Sequence, residues 1–282
     1  MEYKFIGDSV NLLRGVEDFD EREFRGCSKA QIEALQDLLP EYFYLPDSYY
    51  EFLRFGGNGI CDMLSGTDFY FPQIYSLTGG KKLQELKEAS FFPESFNYNS
   101  YLTDDVFLFY YHQGYFIRLF YLLAGSDPNV FYYEAGLSEE FLLSQQQSFS
   151  QYLYTEVSHF IAQYQDRVSA VDEELKSRVK KYRCGLLDVL DLLDAIPGLQ
   201  DMSLAQNARK RYSEILFNTY SIFSYGYRQV YESSYVFSPK NYINHQEREN
   251  NNLQELIEMM YNLEKEGKQL VSYVRELKAR DT

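Results

Sequence analysis

Few side chains in this sequence have the types and spacing that catalysis or metal binding requires. The three histidines and three cysteines are scattered along the chain: His112, His159, His245, Cys27, Cys61 and Cys184. None of them forms a paired metal-ligand spacing, and neither a His-Glu-x-x-His nor a Gly-x-Ser-x-Gly motif occurs. The cysteines are therefore expected to be free thiols in a reducing cytoplasm, where disulfides are rare.

Two denser clusters also fail as chemical sites. Asp104 and Asp105 are adjacent at a strand entrance, so their carboxylates are expected to point to opposite faces. The run 56–59, Gly-Gly-Asn-Gly, could cradle a phosphate through its amides, but it follows a helix and presents the carbonyl end that phosphates avoid. The sequence therefore predicts no enzyme activity, no metal and no cofactor.

The segment 45–59 encodes a helix, with Leu45 just before it. Pro46 suits the first helical position, where its missing N–H costs nothing, and Asp47 places negative charge at the positive end of the helix dipole. Tyr49 and Phe52 begin an apolar series at helical spacing, so one face of this helix is expected to be buried.

The same segment encodes the end of that helix. Gly57, Asn58 and Gly59 tolerate the left-handed backbone of a C-terminal cap and a tight turn. The chain is therefore expected to reverse here into a strand, and these residues are assigned a structural role.

Periodicity and turn residues predict the other elements of the first part. The charged stretch up to Arg25 is expected to be a solvated helix or arm. Helices are expected at 28–39, 81–89, 139–144 and 148–163, with Ser28 capping the first. Strands are expected at 69–71, 106–111, 115–122 and 130–133, with a short bridge at 74–77. The hairpin of 106–111 and 115–122 is expected at the sheet centre, and the fold class is α+β, a mostly antiparallel sheet flanked by helices.

Five segments in order resemble the SUKH superfamily, which includes a fungal cell-wall-synthesis regulator and many bacterial immunity proteins of polymorphic toxin systems. They are 24–39, 45–59, 102–116, 127–133 and 149–153. The resemblance covers about residues 20–165 and implies a SUKH-like α+β domain. It also implies that the role is to bind a protein rather than to catalyse a reaction.

Charge is concentrated in the first part of the chain. Residues 1–165 contain 10 lysines and arginines against 24 acidic residues, a net charge of −14, whereas residues 166–282 carry only −1. An acidic surface repels nucleic-acid phosphates and attracts basic proteins. The expected partner is therefore a protein, with no nucleic acid; acidity that serves only solubility remains the alternative.

Tyrosine is abundant, with 28 Tyr and 22 Phe but no Trp. Tyrosine is enriched at interfaces because it buries area and keeps a hydrogen bond, although half-buried sheet positions are an equally ordinary use. If paired tyrosines alternate along strands, one phenol of each pair faces solvent. The predicted partner contacts combine acids and tyrosines: Tyr50, Glu51, Asp104, Asp105 and Tyr115.

Beyond about residue 165 the pattern becomes helical, which predicts two domains, 1–165 and 166–282, the second all-α. Gly185 and a Pro-Gly pair at 197–198 are expected to bound a short apolar helix. Residues 253–277 carry a heptad seam that needs a partner helix. That partner is expected to be an antiparallel segment at 203–235, or otherwise a second copy of the chain.

Two functions follow from these observations. The first is a cytoplasmic, non-catalytic immunity-type protein that binds and neutralises a toxin domain, expected to be basic and nuclease-like. The second is a regulatory scaffold that docks signalling or cell-wall partners through its helical half. His112, Gln113, Gly114 and Arg118 interrupt the most apolar stretch, so no membrane span is expected.

Overall fold

The computed structural model describes residues 2–61, 63–64, 67–78, 103–112, 116–134, 143–169, 173–194, 254, 257–269 and 271–272. The chain divides into two compact units, Met1–Phe160 and Ile161–Thr282. The predicted boundary at residue 165 falls inside a helix, and independent folding of the two predicted domains stays a prediction.

The described elements form an α+β arrangement, as the sequence predicted. The helices are α1 (Gly7–Arg14), α2 (Lys29–Gln36), α3 (Asp47–Gly56), α4 (Phe71–Thr78), α5 (Phe149–Ser169) and α6 (Glu173–Asp194), and residues 257–269 are also helical. The strands are β1 (Phe24–Arg25), β2 (Gly59–Ile60), β3 (Val106–His112), β4 (Phe116–Tyr121), β5 (Asn129–Glu134) and β6 (Leu143–Ser148). Short 3-10 turns cover Glu21–Glu23 and Leu122–Ala124.

Two helices begin with the same side-chain cap. Ser28 accepts a hydrogen bond from the Gln31 amide at 3.2 Å, and the Gln31 side chain accepts one from the Ser28 amide at 2.8 Å. Ser148 and Gln151 make the equivalent pair at the start of α5. Each reciprocal pair satisfies two amides that the helix leaves without partners. The cap predicted at Ser28 is confirmed.

The main sheet is antiparallel with the order β3-β4-β5-β6. Strands β3 and β4 pair from Val106 opposite Tyr121 to His112 opposite Phe116, with a register shift between Leu108 and Tyr110. The predicted hairpin is therefore confirmed. Among the described strands only its second strand, β4, lies inside the sheet as expected, whereas β3 is at the end of the strand order. A second small sheet pairs β1 with β2.

Aromatic rings fill the core between this sheet and the helices. The Tyr49 ring lies 5.1 Å from Phe107, 5.5 Å from Phe120 and 5.2 Å from Phe149, measured between centroids. All four side chains are buried, and burial raises the pKa of the Tyr49 phenol well above its ordinary value. Helix α3, strands β3 and β4 and helix α5 thus meet on one set of edge-to-face contacts.

Several predicted elements are wrong. The segment 69–71 is not a strand, since Asp68 makes only an isolated bridge to Tyr111 and Phe71 already begins α4. Helix α4 also replaces the bridge expected at 74–77. Within the expected helix 139–144, Leu143 and Ser144 belong to strand β6. Short apolar runs do not distinguish helix from strand, so neighbouring elements decide their form. The helix expected at 81–89 lies outside the described residues.

The first 25 residues are not a solvated arm. Ile6, Val10 and Leu13 are buried, because α1 turns an apolar face inward. Further along, Glu23 is also buried, and Phe24 and Arg25 pair with β2. The prediction gave weight to the acidic residues of this stretch and overlooked the few apolar residues that have helical spacing.

Both ends of α3 differ from expectation: the helix begins one residue later than predicted, and its C-terminal cap is not left-handed. Pro46 is the N-cap of α3 rather than its first helical residue. Gly57 is right-handed, with φ −61° and ψ −19°, and the left-handed backbone comes at Gly59, with φ +143°. Gly57 is instead required by close packing, because an added Cβ would lie 2.6 Å from both the Cys27 Sγ and the Leu53 carbonyl oxygen. The predicted reversal into a strand is confirmed by β2.

The second unit contains α6 and the helical segment 257–269. The rings of Tyr182 and Tyr261 lie 5.8 Å apart, and a Cβ at Gly185 would approach the Glu264 carboxylate to 2.6 Å. Residue numbers rise together along both helices, so the two run parallel. Gly185 therefore lies inside α6 at a close approach, and it does not bound a short helix as predicted.

The predicted seam is partly described. Met260, Leu263 and Gly267 are buried, together with Ile257 and Val271. These residues are already buried in a single copy of the chain. Oligomerisation through the seam stays a prediction. The expected antiparallel partner at 203–235 lies outside the described residues.

One prediction concerns the three cysteines, none of which forms a disulfide in the structure as described. Burial raises the pKa of the Cys27 thiol to about 12, so the reactive thiolate is scarce at neutral pH. In a variant with Cys61→Ser and Cys184→Ser, we expect native Cys27 to react with iodoacetamide at pH 8 on the order of 1,000-fold more slowly than an unperturbed thiol. The same variant in urea serves as the control. Equal rates in the native and unfolded states would contradict the burial.

Candidate functional site

Three segments meet at one end of the first unit. The amide of Leu122 donates to the Asp105 carbonyl oxygen at 2.7 Å, and the amide of Ser48 donates to the Ser126 carbonyl oxygen at 3.0 Å. The connection 122–126 thereby joins the turn before β3 to the first turn of α3. We call these three segments, residues 103–105, 122–126 and 47–50, the acidic end.

The acidic end exposes carboxylates and one large apolar side chain. Asp47 and Asp104 are exposed, and Asp105 is half-buried and accepts a hydrogen bond from the Thr103 hydroxyl. Leu123 is 71% exposed. The neighbouring Asp127 is not available, because it accepts hydrogen bonds from the Ser150 amide and hydroxyl at the start of α5.

The structure describes four of the five predicted contact residues. Asp104, Asp105 and Tyr50 lie at the acidic end, and Tyr50 is 39% exposed. Tyr115 lies outside the described residues. Partner binding by these residues stays a prediction.

Glu51 has a different setting from its neighbour Tyr50. Its carboxylate accepts hydrogen bonds from the amides of Lys4, Phe5 and Ile6 at 2.9, 2.8 and 3.1 Å. Ile6 is the N-cap of α1. A carboxylate here accepts hydrogen bonds from amides at the start of α1, and its negative charge interacts favourably with the positive end of the α1 dipole. Glu51 thus anchors α1 to α3, and its expected role as a partner contact stays a prediction.

The predicted structural residues support this frame. Leu45 and Pro46 are buried beneath the start of α3. The Asn58 side chain donates to the Gly26 carbonyl oxygen at 3.0 Å and to Gln31 Oε1 at 3.1 Å. Asn58 therefore ties the end of α3 to the start of α2.

Two exposed tyrosines next to the acidic end were not selected from the sequence. Tyr42 is 79% exposed and Tyr44 is 72% exposed. They lie in residues 37–46, the connection from α2 to α3, which we call the tyrosine loop. The two prolines of this loop and its position between two helices indicate a surface connection. The sequence does not show, however, that its tyrosines are more exposed than the tyrosine pairs elsewhere in the chain. Exposure, which only the fold provides, separates them.

Metal-ligating side chains are scattered over the part of the chain that the structure describes. Within it, no three or more His, Cys, Asp or Glu side chains are grouped to hold a metal ion. No helix among the described residues is both long enough and apolar enough to cross a membrane.

The first unit is thus an α+β frame that exposes acids and tyrosines on connections between its elements. Residues 26–155 match the model of the SMI1 / KNR4 family (SUKH-1). This match confirms the resemblance to the SUKH superfamily that the five motifs indicated over about residues 20–165. The family fits a protein-interaction or immunity-type module and is generally non-catalytic. Comparisons with curated proteins and with solved structures gave no significant match.

Proposed function

We propose that this protein is a non-catalytic immunity-type module that binds a basic toxin domain, nuclease-like in charge, and blocks it. The observation that carries the proposal is the concentration of charge in the SUKH part, where residues 1–165 have a net charge of −14. A nuclease is basic where it holds phosphates, so an acidic surface can occupy the same site. Such a surface also gains association rate from long-range attraction.

The setting of this binding follows from the same features. None of the three cysteines forms a disulfide in the described part of the chain, which suits the reducing cytoplasm where we propose that the protein acts. Inhibition requires no bond chemistry from this chain, because occupation of the toxin's substrate site is sufficient.

The proposal expects a secreted modular protein to be encoded beside this gene, and its absence would count against the proposal. The test uses the C-terminal domain of that protein. We expect it to bind the full chain, with an association rate that falls on the order of 10-fold or more between about 0.05 M and 0.5 M NaCl, because salt screens charge attraction. Surface plasmon resonance measures this rate. Absence of binding, or binding that ignores salt, would overturn the proposal. A lysine-rich protein of similar charge and no toxin activity is the control for non-specific attraction.

The second candidate is a regulatory scaffold that binds through its helical half. The supporting observation is that Met259 and Tyr261 are 51% and 50% exposed on the helical segment 257–269. Deletion separates the candidates, and the cut belongs after Ser169, the last residue of α5. Binding retained by residues 1–169 favours the immunity-type module, whereas binding confined to residues 173–282 favours the scaffold.

A further inference from the structure

The two tyrosine side chains of the tyrosine loop are highly exposed to solvent. Tyr42 and Tyr44 have the largest exposed fractions among the large apolar side chains that the structure describes. A single exposed ring is ordinary and needs no explanation. Two such rings on one short connection that leads directly into residues 47–50 of the acidic end require an explanation.

The backbone that carries these rings is fixed. The Gln36 side chain donates to the Phe43 carbonyl oxygen at 2.6 Å and accepts from the Leu45 amide at 3.0 Å, which holds the main chain on both sides of Tyr44. The Phe43 amide also donates to the Pro40 carbonyl oxygen at 2.9 Å, closing a turn around Tyr42. A loop ordered before binding loses little conformational entropy when a partner arrives.

The charged residues on either side of these rings in the sequence are all acidic. Between Lys29 and Arg54 the chain contains five acidic residues and no lysine or arginine. Three of the five, Asp37, Glu41 and Asp47, are exposed and make no ion pair with any described residue. Tyr44 and Asp47 are three residues apart, so their Cα atoms lie within about 11 Å of each other. A partner that covers this loop therefore meets aromatic faces and carboxylates together.

Lysine and arginine side chains match that combination. A cation over an aromatic face is attracted by the negative face of the ring, and a neighbouring carboxylate adds charge complementarity. The chain uses the same arrangement internally. The Arg118 guanidinium lies 4.7 Å from the Tyr152 ring centroid and 5.0 Å from that of Phe116, and it pairs with Glu156 at 3.6 Å.

We infer that the tyrosine loop, with Asp47 at its end, is a docking surface for a lysine- or arginine-bearing segment of a protein partner. Tyr42 and Tyr44 receive the cationic side chains on their ring faces, and Asp37, Glu41 and Asp47 supply the balancing charge. This inference rests on the proposed function for the identity of the partner, but the chemistry of the loop selects the kind of segment.

The first experiment uses a random peptide library displayed on phage and selected against the intact protein. We expect the enriched peptides to contain lysine and arginine. Their affinity should fall at least about 10-fold, which is 1.4 kcal/mol, for the double variant Tyr42→Ser, Tyr44→Ser. The matched control is Tyr154→Ser, a tyrosine 44% exposed on α5, which should bind as the unmodified chain does.

A conservative variant separates ring faces from hydroxyl groups. The double variant Tyr42→Phe, Tyr44→Phe keeps the faces and should retain affinity within about 3-fold, because cation attraction comes from the ring. Circular dichroism melts should be the same for all these variants, since the replaced side chains are exposed. Enrichment of peptides without basic residues, no enrichment, or affinity that survives the serine variant would each overturn the docking surface.

The toxin domain used to test the proposed function distinguishes the two possible failures. If it binds the full chain and the serine variant equally, the docking surface is wrong and the immunity function stands. If it does not bind but basic peptides do so in a tyrosine-dependent way, the immunity function is wrong and the docking surface stands.

Discussion

Replacing Tyr49 with alanine is expected to lower the free energy of unfolding by about 3–5 kcal/mol, the usual cost of removing a large buried aromatic side chain. Its side chain has 0% exposure and contacts rings from β3, β4 and α5. Those rings belong to three different elements, so they cannot move together to fill the cavity. Urea unfolding of the full chain measures the loss as a lower midpoint at an unchanged slope.

The neighbouring position provides the control. Tyr50 is 39% exposed, so Tyr50→Ala should change the free energy of unfolding by no more than about 0.5 kcal/mol. Tyr49→Phe is a second comparison, because the Tyr49 hydroxyl has no hydrogen-bond partner among the described residues. Removing an unsatisfied buried hydroxyl should be neutral or stabilising. A large loss for Tyr49→Phe would show that the hydroxyl has a partner.

Replacing Glu51 with alanine is expected to cost about 2–3 kcal/mol of unfolding free energy, because three backbone amides lose their acceptor. Those amides belong to Lys4, Phe5 and Ile6, so the loss should first release α1. Hydrogen exchange at these amides, measured by NMR, should accelerate more than exchange in β4.

The exposed Asp47 on the same helix is the matched control for Glu51. Asp47→Ala should cost no more than about 0.5 kcal/mol, since it removes only a favourable charge near a helix N-terminus. Glu51→Gln keeps one acceptor oxygen and should lose about half as much stability as Glu51→Ala. Weakened partner binding by Glu51→Ala at full stability would instead favour the sequence-based interpretation of Glu51 as a contact.

The sequence predicted the elements whose signals are local. The cap at Ser28, the helix after Pro46 and the hairpin between β3 and β4 each depend on residues a few positions apart. The family resemblance was recoverable for the same reason, since its motifs are these local signals in a fixed order. What failed was the form of short apolar runs, such as 69–71, where the choice between helix and strand depends on tertiary neighbours.

The candidate site was less predictable because it depends on which segments meet. Asp104 and Tyr50 were selected as separate residues, and contacts between distant parts of the chain, including two main-chain hydrogen bonds through 122–126, bring their segments together. Glu51 looked like an ordinary helix-surface acid, since nothing in the sequence indicates that residues 4–6 lie across α3 from it. Exposure of Tyr42 and Tyr44 likewise required the fold.

The way in which 103–105, 122–126 and the first turn of α3 are joined has an evolutionary consequence. The joining bonds run between peptide groups, from Leu122 to Asp105 and from Ser48 to Ser126, and so do not depend on which side chains project outward there. Mutation can therefore exchange Asp47, Asp104 or Leu123 for other residues without undoing the architecture beneath. Under the proposed function, such substitutions would change which toxin domain is bound while the fold stays the same.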